Sequence, residues 1–184
     1  MRVTGFLITT GFFFEALVGS KFAFALDCER PADQVRISAV GDILIHQAVY
    51  LSALRQEHKF ASLFTKIKPL LDQVDVSYGN LEGPTAKGIG PGGRDHGDVG
   101  MTYDCGRAYC GTNFSFNYHP RLLRDLQQSG FDVLSTANNH SWDRGNIGID
   151  RTIEALRSTS LKYTGTRHSK QDPRGFSFAT FTQV

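Results

Sequence analysis

The 184-residue chain is 40% hydrophobic and 21% charged, with 20 Lys and Arg against 18 Asp and Glu and a formal net charge of +2. That is enough apolar material for one domain with a real core. No dense basic run interrupts the near-neutral balance, which argues against a nucleic-acid binder, because such proteins cluster Lys and Arg.

Residues 1–25 differ from the rest. Arg2 gives a short positive start, the apolar runs FLI (6–8), FFF (12–14) and ALV (16–18) follow, and AFA at 23–25 has the form of a cleavage site. The pattern predicts a secretory signal peptide cut after Ala25, and hence a secreted or periplasmic protein. An uncleaved membrane anchor is the alternative, although Glu15 and Lys21 leave a short uninterrupted apolar run for a span. A lipoprotein fits poorly, because Asp27 precedes Cys28 where a small residue is expected.

Export also bears on the cysteines. Cys105 and Cys110 enclose only GRAY, and an oxidising compartment favours a local disulfide there. A zinc ligand pair is the competing reading, but no second Cys or His pair stands at finger spacing. Cys28 is the odd one out.

In the mature chain, residues 34–40 alternate and then turn apolar, predicting a strand that stops at Gly41-Asp42. Phe60, Leu63, Phe64, Ile67 and Leu71 share one helical face, with Pro69 kinking or ending that helix. Residues 74–78 predict a second strand, running into GNLEGP at 79–84. Residues 84–112 are Gly-rich and aperiodic, as a surface loop or flap would be. A helix over 120–128 points Leu122, Leu123 and Leu126 inward, with Gly130 past its end. Residues 131–136 form the third predicted strand, and a helix over 147–158 buries Ile149, Ile153 and Leu156. Residues 163–166 read as a loop and 175–181 as a final strand. Strands alternating with helices indicate an α/β fold.

Three polar clusters fall at the C-terminal ends of predicted strands: Asp42 with His46, Asn80 with Glu82, and Asn138, Asn139 and His140 with Asp143. Open α/β sheets place their ligand crevice there. Carboxylate and amide oxygens with imidazole suit divalent Mn, Mg, Fe or Zn, and one or two such ions can drive hydrolysis. Each cluster taken alone also reads as turn or cap chemistry. In the aperiodic segment, Asp95, His96 and Asp98 are a lesser candidate group, and no Gly-Lys-Ser/Thr follows its glycines to make a Walker loop.

The segments VGDILIH (40–46), GNLEGP (79–84) and ANNHSWDRG (137–145) resemble the three N-terminal motifs of the CapA capsule-synthesis family. FNYHP (116–120), GFDV (130–133) and TIEAL (152–156) also fall where that family's pattern puts them, so the similarity covers residues 35–184. The family is associated with poly-γ-glutamate capsule production and belongs to the calcineurin-like metallophosphoesterase superfamily. The resemblance implies the N-terminal part of a four-layer αββα sandwich with a metal centre at the strand ends. It implies Asp42, Asn80, Glu82 and Asn139 as metal ligands, with His46 a further candidate whose spacing departs from the superfamily's Asp-x-His. Asn80 stands where better-known members carry a bridging aspartate. His140 would be the proton donor and Asp143 the group that orients it.

Superfamily members complete their site with histidines from a second half of the domain, whereas here only His168 follows His140. The resemblance therefore leads us to expect a fragment whose missing C-terminal half, or a partner chain, closes the site. It implies an anionic envelope polymer or its precursor as the ligand, with membrane-associated capsule machinery as a further partner. Two functions follow: a metal-dependent envelope hydrolase, or a non-catalytic polymer-binding or assembly component with a residual metal site.

Overall fold

The runs ISAVGDI, VSYGNL, VLS and KYT lie side by side in the computed structural model, which describes residues 34–170. In chain order the elements are β1 (Ile37–Ile43), α1 (Gln47–Arg55), α2 (Ala61–Phe64), α3 (Lys68–Leu71), β2 (Val76–Leu81), β3 (Cys110–Thr112), β4 (Ser115–Asn117), α4 (Arg121–Gln128), β5 (Val133–Ser135), α5 (Gly145–Arg157) and β6 (Lys162–Thr164). A short 3₁₀ turn over Pro91–Gly93 lies between β2 and β3. The chain divides into two units, residues 1–34 and 35–184, and the elements belong to the second. The predicted signal peptide, Cys28 and the predicted strand over 175–181 lie outside the described residues.

The main sheet has the order β1-β2-β5-β6, and all its pairings are parallel. Helices supply the connections, since parallel strands need long crossovers. This is the α/β class read from the sequence. Side chains fix the strand starts. Arg36 N–H donates to Asp75 Oδ2 at 2.7 Å, ahead of the β1–β2 pair. Asp132 Oδ2 accepts from both Ser77 N–H at 2.8 Å and Ser77 Oγ at 2.9 Å, pinning β2 to the residue before β5.

The core lies where α4 packs toward the sheet. Leu122, Leu123, Leu126 and Leu134 are fully buried with Tyr50 and Phe60, each large side chain contributing about 1.5–3 kcal/mol by leaving water. α4 ends in a Schellman motif: Phe131 N–H returns to Leu126 O at 3.2 Å and Gly130 N–H to Gln127 O at 3.1 Å. Gly130 has φ +94°, and a Cβ there would come within 3.2 Å of Leu71 Cβ, so both conformation and space demand glycine.

Four expectations need correction. The helix predicted over 60–71 is broken into α2 and α3, and Pro69 sits in the first turn of α3, where its missing N–H costs no helical bond. α1 was not expected, because only Tyr50 and Ala53 of its nine residues are buried, too sparse a stripe to read. Residues 162–164 are a strand, β6, rather than loop, and it lies at the sheet's edge among the described residues.

The largest correction concerns the two ends of residues 84–112, which are built into the core, whereas residues 91–107 hold no buried residue and run over the surface as expected. Thr85, Ala86, Ile89, Ala108 and Tyr109 are fully buried. Asn117 organises them: its Oδ1 accepts from Ala86 N–H at 2.8 Å, and its Nδ2 donates to the carbonyls of Ala86, Ile89 and Ala108. The segment is closed by the predicted disulfide, Cys105–Cys110.

Candidate functional site

Parallel pairing brings the C-terminal ends of β1, β2 and β5 into one row. Asp42 is the register partner of Asn80, and Asn80 that of Ser135. The β1–β2 register shifts between Ala39 and Asp42, a bulge of the kind that re-aims a side chain at a sheet's rim.

An amide relay crosses this row. Asn80 Nδ2 donates to Asp42 Oδ1 at 2.9 Å, and Asn80 Oδ1 accepts from Asn138 Nδ2 at 3.1 Å. Asn138 Nδ2 also donates to Leu81 O at 2.8 Å, while its Oδ1 accepts from His140 N–H at 3.1 Å. One asparagine thus ties the turn after β5 to the end of β2. Asn139, the predicted ligand, is exposed beside it, and Asn138 makes the bond to Asn80.

Glu82 is buried just beyond β2. Its carboxyl interacts with that of Asp42: burial, and then Asp42, push Glu82 above the usual carboxylate range, whereas the Asn80 amide, and then Glu82, hold Asp42 below it. His140 and His46 are near enough to pull Glu82 partly back. The structure therefore gathers Asp42, Asn80 and Glu82, with His46 and His140 in electrostatic reach.

His140 and Asp143, paired in the sequence reading, also meet. His140 Nδ1 stands 3.0 Å from Asp143 Oδ2, and the same oxygen accepts from Phe116 N–H at 2.7 Å. An ionised carboxylate only accepts, so the histidine meeting it carries its proton on Nδ1. Arg144, 1% exposed, donates through Nη1 to Ser115 Oγ at 2.7 Å and to Asp143 O at 2.8 Å. Burial pushes its guanidinium below the ordinary value, with Asp143 opposing. Consecutive residues Asp143 and Arg144 thereby clamp the start of β4.

Sequence reasoning missed the hairpin's part in this site. β3 and β4 form an antiparallel pair, and a Cβ on Gly111 would meet Ile45 O at 2.2 Å, so glycine lets the hairpin lie against the chain leaving β1. Tyr118 then links two strand ends: its hydroxyl accepts from Ile45 N–H at 3.2 Å and donates to Glu82 O at 2.8 Å. The FNYHP segment, noted above only as family pattern, was the available signal.

The donor set suits a hard divalent cation: two carboxyls crowded together, Glu82 buried and Asp42 exposed, offer anionic oxygens that a cation would neutralise. Asn80 as arranged turns its NH₂ toward Asp42 and acts as a link. Among the described residues, no group of three or more His, Cys, Asp or Glu side chains could hold a metal ion.

Comparison with known proteins gives this geometry a family. The model of the family described as bacterial capsule synthesis protein PGA_cap matches residues 36–183. The PGA biosynthesis protein CapA of Bacillus subtilis (strain 168) is 23% identical over 142 residues, covering 77% of this chain and 33% of that protein. The capsule biosynthesis protein CapA of Bacillus anthracis is 22% identical over 155 residues, covering 84% and 34%. The uncharacterized protein y4uA of Sinorhizobium fredii (strain NBRC 101917 / NGR234) is 28% identical over 144 residues, covering 75% and 26%. The match thus spans about a quarter to a third of each of these curated relatives.

Proposed function

The chain belongs to the bacterial capsule synthesis protein family PGA_cap, and from that premise we propose that it serves capsule polymer production at the cell envelope as a metal-assisted phosphoester hydrolase. The observation that carries this reading is the meeting of the Asp42–Asn80–Asn138 relay with the His140–Asp143 pair at the ends of neighbouring parallel strands. Its ligand is an anionic envelope polymer or the polymer's precursor. Export through the N-terminal segment would deliver the chain there. No helix among the described residues is long and apolar enough to cross a membrane.

Asp42 and Glu82 would hold the cation, with Asn80, Asn139 and His46 as candidate further ligands, and Mn, Mg, Fe and Zn all suit such donors. A bound cation supplies charge neutralisation for an anionic substrate. The chain's own residues do the rest. Asp143 holds His140 by Nδ1 and compensates the imidazolium charge, leaving Nε2 to give its proton to a departing oxygen. The hydrogen bond from Phe116 N–H keeps that half-buried carboxylate fixed as an acceptor.

The test pairs binding with turnover. Mn²⁺ at 100 times its Kd should raise folding stability by about 2.7 kcal/mol, and Asp42→Ala should abolish that gain. His140→Ala should keep it while losing hydrolysis of a phosphodiester probe. An unchanged midpoint with Mn²⁺ sinks the metal reading, and full activity in His140→Ala sinks the acid assignment.

A second reading, a non-catalytic polymer-binding or assembly component, is favoured by Asn80 itself. It offers an amide where a bridging carboxylate would serve catalysis better, and its oxygen is occupied by Asn138. Polymer binding without turnover at any metal concentration would select it.

A further inference from the structure

Phe116 is fully buried, and its ring meets two imidazoles edge-on. His140 lies with ring centres 4.6 Å apart at 84°, and His46 at 5.3 Å and 79°. No other aromatic side chain among the described residues packs against either histidine in this way. We propose that Phe116 is a positioning residue whose ring sets the plane of both imidazoles of the site. The proposal rests on reading His140 as the proton carrier.

Hydrogen bonding alone leaves both rings under-determined. The contact to Asp143 fixes the direction of one His140 nitrogen, yet the ring can still swing about that axis. Among the described residues, His46 is hydrogen-bonded through its backbone alone, its carbonyl accepting Tyr50 N–H at 2.8 Å as α1 begins. An edge-to-face aromatic contact is worth about 0.5–1.5 kcal/mol, enough to select one ring orientation. Phe116 also gives its N–H to Asp143, so one residue fixes the acceptor through its backbone and the imidazole through its side chain. Asp143 and Arg144 hold β4 in return, which makes the hairpin strand and the turn after β5 mutually supporting.

The experiment reads the imidazole directly, in full-length, chelator-treated protein with ¹⁵N-labelled histidine, at about pH 8 where free imidazole is neutral. Wild type should show His140 protonated on Nδ1. Phe116→Leu should shift it toward the Nε2-protonated form that unconstrained imidazole prefers. Phe131→Leu, which removes a buried ring that packs on Phe64 instead, should leave the wild-type tautomer. Retention of the Nδ1 form in Phe116→Leu, or equal loss in Phe131→Leu, overturns the proposal. A second measurement needs no variant: ring-to-ring Overhauser contacts from Phe116 to both His46 and His140 are expected in wild type, and their absence overturns it too. Because neither readout uses metal or substrate, a failed positioning role is distinguishable from a failed hydrolase reading.

Discussion

Asn117 bonds the backbone of Ala86 in both directions, accepting its N–H at 2.8 Å and donating to its carbonyl at 2.8 Å. The side-chain amide thus copies what a neighbouring strand would do, and it does so with both residues fully buried. Replacing it with Leu would strand the N–H of Ala86 and the carbonyls of Ile89 and Ala108 away from water, while Ala86 O keeps the N–H of Ile89. At about 1–3 kcal/mol for each unsatisfied buried group, Asn117→Leu should lose at least about 3 kcal/mol in urea unfolding.

Tyr118 performs a similar task between strands, joining Ile45 to Glu82 through one hydroxyl. Burial pushes its phenol far above the ordinary value, so it stays a neutral donor. Tyr118→Phe keeps the packing and removes both bonds. We expect a loss of about 1–3 kcal/mol by thermal unfolding, together with weaker Mn²⁺ stabilisation, because the backbone of Glu82 loses its anchor.

Asn113 and Phe114 form the two-residue tip of the β3–β4 hairpin with φ of +54° and +51°. Asparagine tolerates that region, whereas phenylalanine is strained in it. Phe114 is 83% exposed, so its ring returns little burial energy. Phe114→Gly should raise stability by about 1 kcal/mol, read as a higher urea midpoint; a lower midpoint would show that the ring makes contacts of its own.

His119 Nδ1 accepts the N–H of Arg121 at 3.0 Å, capping the start of α4. Burial holds its imidazole below the ordinary value of 6.5, with Asp98 opposing and Lys87, Arg121 and Arg124 assisting. A depressed folded value means that the unfolded chain takes up the proton first. Stability is therefore full above the ordinary value and falls as pH drops toward the folded one. Comparing urea midpoints at about pH 7.5 and about pH 5 should show this loss, and His119→Gln should shrink the difference.

These sites also show what the sequence could and could not reveal. Asp42, Asn80 and His140 were legible because each follows a short apolar run, and parallel pairing brings such positions to one edge. Leu122, Leu123 and Leu126 were legible through helical spacing, and all three are buried. The order of residues 84–112 was not, because it depends on a remote amide and on buried carbonyls rather than on any period in the segment itself. Asn138 and Asn139 are adjacent and chemically identical, and only the path of the turn decides that the first meets Asn80. β6 was hidden by its length of three residues.

The order β1-β2-β5-β6 also bears on how the protein reaches its native state. Bonds that fasten neighbouring strands join residues 39, 55 and 28 positions apart in the chain, so the sheet closes large loops before any strand gains its neighbour. Such a topology folds slowly and exposes unpaired strands on the way. The row of Asp42, Asn80 and Ser135 exists only once two of those closures are complete. Acquisition of the site should therefore wait for both the β1–β2 and the β2–β5 pairings, and chaperone demand should be set by the parallel sheet rather than by the helices.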